Sequence, residues 1–172
     1  MPPHPAADVT IRTDLRPGDL GTLVERHGTL YARELGFDVT FEAYVAAPLA
    51  RFALERTDRE RLWIAERPEG PAAFAGCIAI VATADPREAQ LRWFLVDPSA
   101  RGLGLGKRLL DAAVAFARAS GYESIHLWTV SALPAAARLY RAAGFAKVEE
   151  KKGAWGVPVV EERHVLSLAG AR

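Results

Sequence analysis

Residues 101–106 read RGLGLG, with Gly102, Gly104 and Gly106 flanked by Arg101, Lys107 and Arg108. Glycine lets backbone N–H groups approach a ligand without a Cβ in the way. The first-turn amides of a helix have no intrahelical partner, and the helix dipole adds partial positive charge. A phosphate fits such a place. Basic side chains in a first turn oppose the dipole at about 0.3–1 kcal/mol each. Three of them here predict an anion that offsets Arg101, Lys107 and Arg108.

Two nucleotide-binding patterns fail on specific residues. A P-loop needs G-x-x-x-x-G-K-[ST], but Arg101 stands at its first glycine and Arg108 at its Ser/Thr. A dinucleotide fingerprint needs G-x-G-x-x-G, and from Gly102 the sixth place is Lys107. The next strand, HLWTV, also ends without the acid that would hold a ribose.

Other chemistry-bearing residues are scattered. His4, His27, His126 and His164 show no metal-ligand spacing, so no metal is expected. Cys77, the only cysteine, lies in FAGCIAIVA and reads as a small buried hydrophobe with no base paired to it. One cysteine allows no intramolecular disulfide.

The surrounding pattern supplies the elements that must position the loop. DVTIRTDL (8–15) alternates like a strand. Residues 19–35 repeat apolar positions at helical spacing and end at Gly36, a left-handed cap. Thr40 is the expected N-cap of a second helix, which Pro48 should kink or break. Residues 61–85 read as a hairpin, and EAQLRWFLVDP as a third strand stopped by Pro98. The glycine loop opens a helix to about Ser120. SIHLWTV (124–130), a short helix from Pro134 to Gly144 and two closing strands complete the chain. The unit 88–130 has the length of a parallel crossover. The fold class is mixed α/β: a seven-segment sheet flanked by helices. Residues 8–170 are expected to form one domain behind a disordered tail, 1–7.

Bulk properties exclude little else. The 172 residues suffice for one core, and half are apolar. The net charge of +1 offers no field for nucleic acid or an anionic membrane. MPPHPAAD lacks the apolar segment of a signal peptide, and no run of ~18 apolar residues spans a membrane. A cytoplasmic location is the default expectation. The closing strands and the GAWGVPV link offer an edge that a second copy could pair with, so a homodimer is one expectation.

Arg101, Gly104 and Gly106 fit [R/Q]-x-x-G-x-[G/A] after a strand ending FLVDPSA. ARLYRAAGF (137–145) fits A-x-x-L-Y-x-x-x-G-F, with Ala136, Leu139, Tyr140, Gly144 and Phe145 in place. The two motifs lie ~35 residues apart in the right context. The sequence thereby resembles the GNAT family of N-acetyltransferases over about residues 8–168. The resemblance implies an acyl-CoA N-acyltransferase fold with a parallel strand pair splayed at the acetyl-CoA site. The pyrophosphate of the co-substrate is then expected on the amides of Leu103 to Lys107, within a loop site of Arg101, Gly102, Leu103, Gly104, Leu105, Gly106 and Lys107. The pantetheine is expected against the backbone of Phe94, Leu95 and Val96, with an N–H near Phe94 holding the acetyl carbonyl.

The same resemblance implies acyl transfer to an amine by direct attack in a ternary complex, with Tyr140 as the acid for the leaving thiolate. Where many relatives carry a glutamate base the chain has Gln90. Glu88 lies nearby, expected in a solvated turn, and Leu133 replaces an asparagine that contacts the cofactor. His27 and Tyr31 on the first helix are candidate acceptor contacts. His126 is expected to pack rather than to catalyse. RHGTLYARELGFDVTFEA (26–43) further resembles the acetyltransferase module fused to MarR-type regulators, although residues 1–7 are too few for a DNA-binding segment. The acceptor is a small amine, a peptide or a protein amine, with no direct nucleic-acid or membrane partner. Two functions stand at this point. One is an N-acetyltransferase; the other is a non-catalytic acyl-CoA sensor serving a transcriptional partner.

Overall fold

The computed structural model describes residues 9–68 and 73–170. The expected tail, 1–7, lies outside the described residues. Seven strands form one sheet: β1 (Thr10–Arg12), β2 (Arg61–Glu66), β3 (Phe74–Ala82), β4 (Glu88–Val96), β5 (Ser124–Val130), β6 (Ala146–Ala154) and β7 (Pro158–Ser167). Their order across the sheet is β1-β2-β3-β4-β5-β7-β6, with only β4 and β5 parallel among the paired neighbours. Four helices flank it: α1 (Asp19–Leu35), α2 (Val39–Glu55), α3 (Leu105–Ala119) and α4 (Pro134–Ala142). The expected fold class is therefore present, including the parallel crossover from β4 through α3 to β5.

Each face of the sheet has its own core. Leu23, Leu30, Val45, Leu49 and Phe52 of α1 and α2 pack on Leu62, Ile64, Cys77, Trp93 and Leu95. On the other face Leu109, Leu110, Ala113 and Ala117 of α3 pack on Ile78, Ile80, Ala89, Leu91 and Ile125. Fully burying one such Leu or Ile contributes about 1.5–3 kcal/mol.

Three local expectations are corrected. The first strand is three residues long, not eight, because only Thr10–Arg12 meets β2. Helix α2 is capped by Asp38, whose carboxylate accepts from Thr40 N–H at 2.9 Å, rather than by Thr40. Asp38 is held there by its own N–H, which donates to Trp155 O at 2.8 Å, a contact 117 positions away in the chain that no local rule contains. Pro48 does not break α2, which continues to Glu55. Proline costs a helix interior ~3 kcal/mol, and the buried stripe Val45, Leu49 and Phe52 on both sides of it supplies more than that.

Candidate active site

The site begins with an irregularity in β4. Ala79 pairs with Arg92 and Cys77 with Leu95, so Trp93 and Phe94 together face Ile78. This is a β-bulge, and Trp93 carries it at φ 48°, the only positive φ outside glycine among the described residues. A one-residue insertion exchanges the faces of a strand. Accordingly Ala89 and Leu91 belong to the α3 core, whereas Trp93 and Leu95 belong to the α1–α2 core. Phe94 and Val96 now pack toward α3. The turned Trp93 carbonyl accepts from the Cys77 thiol at 3.0 Å. Because C=O and N–H of a trans peptide are antiparallel, the Phe94 N–H is aimed away from β3.

Beyond the bulge, β4 leaves β5. The two pair only from Glu88–Ser124 to Gln90–His126, while β5 pairs with β7 along its whole length. The β5-facing backbone of β4 past Gln90 therefore has no strand partner, an arrangement that an extended amide-bearing ligand can complete.

The glycine loop lies at the open end of that split. Gly102 and Gly104 both have φ 76°, a conformation that side chains with a Cβ rarely adopt. Gly106 serves a different purpose: an added Cβ would lie 3.3 Å from Leu139 and 3.6 Å from Phe94, so its absence lets α3 approach α4. Gly104 caps α3 without any side-chain hydrogen bond. The amides of Leu105, Gly106 and Lys107 are thus the unpaired first-turn donors. Helix α2, by contrast, has its Asp38 carboxylate in that position.

The loop's cations do not stand free for an anion, contrary to what their number predicts. Arg101 makes a bidentate pair with Glu34 of α1 at 2.8 and 3.2 Å, and its Nε donates to Val96 O at 3.2 Å. Lys107 lies 2.6 Å from Asp111, and Arg108 donates to Val9 O at 3.4 Å. Two of the three cations are thus offset by carboxylates of the chain itself. Arg101 acts as a strut between the loop, β4 and α1. The uncapped amides, not the side-chain cations, are what the loop offers an anion.

Loop, split and helical hairpin enclose one cavity of about 550 Å³, the size of a small-molecule site. Arg101, Gly102, Gly104, Leu105, Gly106 and Lys107 line its loop end. Phe94, Leu95 and Val96 line it along the split, and His27, Tyr31 and Tyr140 line it as well. Among the expected site residues, Leu103 stands apart: it is outside the lining and exposed.

Tyr140 is 5% exposed, with its ring 6.0 Å from Phe94 and 5.8 Å from Phe145. Burial pushes its phenol well above the ordinary value, so it is protonated at neutral pH. Burial likewise pushes Tyr31 up to about 12. His27 is 3% exposed, and its Nδ1 donates to Leu23 O at 2.7 Å. Burial lowers its pKa to about 4, so the ring is neutral and its buried Nε2 has no partner among the described residues. Cys77 is fully buried, with its pKa raised by desolvation, as a structural thiol requires.

Glu88 is not in a solvated turn. It is partly buried, 2.8 Å from Arg163 and 3.2 Å from His126 Nδ1. Gln90 and Leu133 both line the cavity. Three lining residues escaped local reading, Phe41 and Tyr44 of α2 and Arg92 of β4; Trp155 of the β6–β7 turn, open from the sequence as an interface or a substrate-lid residue, lines the cavity with them. The legible signal was an arginine inside the otherwise apolar run LRWFLV.

A sequence profile of the acetyltransferase (GNAT) family matches residues 26–145. The chain belongs to the GNAT family. An uncharacterized N-acetyltransferase of Schizosaccharomyces pombe is 30% identical over 122 residues, 69% of this chain and 72% of that protein. Among solved structures, yncA of Salmonella typhimurium, a putative acetyltransferase with its cofactor acetyl-CoA, superposes with TM-score 0.73 at 18% identity, covering 96% of this chain and 97% of that one. The spermidine N-acetyltransferase of Vibrio cholerae, in complex with CoA and spermine, gives 0.67 at 17% identity over 94% and 96%. These likenesses show that the GNAT fold is shared. Among the described residues no group of three potential ligands is placed to hold a metal ion, and no helix is long and apolar enough to cross a membrane.

Proposed function

We propose that residues 8–170 form one catalytic domain, an acetyl-CoA-dependent N-acetyltransferase acting by direct attack in a ternary complex. The carrying observation is the continuous path from the uncapped amides of Leu105 to Lys107, along the β4–β5 split, to Tyr140. The loop amides suit a pyrophosphate, and the unpaired β4 backbone suits the pantetheine amides. The Phe94 N–H, aimed away from β3, suits the acyl oxygen. Acetyl-CoA supplies an activated thioester carbonyl.

In this reading the acceptor nitrogen forms the new N–C bond as the C–S bond breaks, and the electron pair leaves with sulfur. The Tyr140 hydroxyl gives its proton to that sulfur and regains one from solvent. The ammonium proton of the acceptor leaves through water. Gln90 accepts a hydrogen bond but no proton, and the lining carboxylates Glu34 and Glu161 are ion-paired. The enzyme works in the cytoplasm. The edge strand β6 carries Lys147, Glu149, Glu150, Lys151 and Lys152, charges that oppose edge pairing.

Gln90 also favours a second reading, an acyl-CoA sensor without turnover. Release of free CoA thiol from acetyl-CoA, across amines, amino acids, polyamines and peptides, decides between them when CoA binding is measured in parallel. Turnover with one acceptor class supports the transferase. Binding without turnover on any acceptor supports the sensor.

A further inference from the structure

Arg92 is the cation of the cavity that lacks an anion. Several half-buried or cavity-lining arginines are ion-paired: Arg12 with Asp19, Arg26 with Glu25, Arg101 with Glu34 and Arg163 with Glu88. Arg92 makes no ion pair and no side-chain hydrogen bond among the described residues. Its guanidinium instead lies 5.6 Å from the Tyr44 ring centre and 5.3 Å from that of Trp93. It is partly buried, and desolvation lowers its pKa with no carboxylate opposing the shift. Ring contacts of this kind hold the guanidinium without using up its N–H donors, which remain available for a bidentate partner. Partial burial without a counter-ion is unfavourable, and an arriving carboxylate relieves it.

The wall beside Arg92 is aromatic. Tyr44 lies 4.6 Å from Trp155, Phe41 5.5 Å from Trp155, and Tyr31 4.7 Å from Phe41, all between ring centres. Tyr44 therefore belongs to the cation site and the apolar wall at once. The cavity's carboxylates are engaged elsewhere: Glu34 by Arg101 at 2.8 Å and Glu161 by Lys151 at 3.7 Å. A second ammonium on the acceptor would find no unpaired acid there and would meet the charge of Arg92.

We propose that the acceptor is an amino acid in chemistry: its amine faces the acyl group, its carboxylate engages Arg92, and an apolar or aromatic side chain lies along Phe41, Tyr44 and Trp155. This rests on the transferase reading for the amine but not for the carboxylate site. The transfer itself is unchanged: an N–C bond forms, the C–S bond breaks, sulfur leaves with the electron pair and takes a proton, and the amine proton goes to water.

The test uses four probes with the whole chain and saturating CoA or acetyl-CoA: phenylalanine, phenylalaninamide, phenethylamine and spermidine. Binding is read by calorimetry in the presence of CoA, and turnover by thiol release from acetyl-CoA. Phenylalanine should bind at least about tenfold more tightly than its amide or phenethylamine, the range of a charge-assisted pair, and spermidine should bind least. Arg92→Met should erase the acid-over-amide preference, and Arg92→Lys should restore part of it, with CoA affinity held in both. Equal binding of acid and amide, or an acid preference that survives Arg92→Met, overturns the proposal. Arg92-dependent binding of phenylalanine without turnover supports the carboxylate site and overturns the transferase reading. Turnover of amines without regard to a carboxylate does the reverse.

Discussion

Gly104 allows backbone strain and ligand charge to be separated in one series. Its φ of 76° places it in the left-handed region, and nothing lies within 4 Å of an added Cβ. Gly104→Ala therefore meets no clash, only the left-handed penalty of about 1–2 kcal/mol. For a domain of this size that lowers Tm by roughly 2–8 °C. Gly104→Asn should lose much less, because asparagine visits this region readily. Gly104→Glu bears the same strain, but its carboxylate sits at the uncapped amides of α3 and returns about 0.3–1 kcal/mol. Stability should thus rank Asn above Glu, and Glu above Ala. CoA affinity should rank differently. Glutamate occupies the donors that a pyrophosphate needs, and losing two charge-assisted hydrogen bonds costs at least ~3 kcal/mol, roughly a hundredfold in Kd. Scanning calorimetry reads the first ranking and CoA titration the second. Equal Tm losses for Ala and Asn would refute the left-handed argument. A Glu variant that binds CoA as well as the Asn variant would refute the phosphate site.

Two further outcomes test the buried titrating groups. Tyr140→Phe should lower turnover at least about tenfold while leaving CoA affinity nearly unchanged, as removal of a general acid does; unaltered single-turnover rates would remove Tyr140 from the proton path. His27 has its pKa lowered by burial from about 6.5 to about 4, so the unfolded chain takes up its proton first. Stability is complete above pH 6.5 and falls as the pH drops toward 4, by ~3 kcal/mol at most from this residue. Denaturant unfolding at pH 7 and pH 4.5 should show a loss that His27→Leu reduces; an identical loss in the variant would refute it.

Much of this was written in local pattern. The helical periodicity of residues 19–35, the Gly36 cap, the strand that ends before Pro98 and the helix that follows the glycine loop need only neighbours a few residues apart, and each is present. The geometry of the RGLGLG loop was also legible, because left-handed turns and uncapped amides are local properties. What the pattern could not contain were contacts between distant segments. The Arg101–Glu34 pair, 67 residues apart, absorbs a charge that looked ready for a ligand. The Asp38 cap depends on Trp155, and the fate of Glu88 on Arg163 and His126.

The bulge in β4 shows the division most clearly. EAQLRWFLV alternates polar and apolar as far as Arg92 and then runs apolar to Val96, with no glycine or proline to announce a defect. Only pairing with β3 places two residues opposite Ile78 and so turns Trp93 and Leu95 to the α1–α2 face. Sequence alone determined the elements, the glycine loop and the family likeness, since these rest on short-range sterics and spacing. Tertiary structure alone decided which charges are already neutralised, how the split opens and why Arg92 faces a cavity without an anion. Those outcomes depend on burial and on partners that chain folding brings together from far apart.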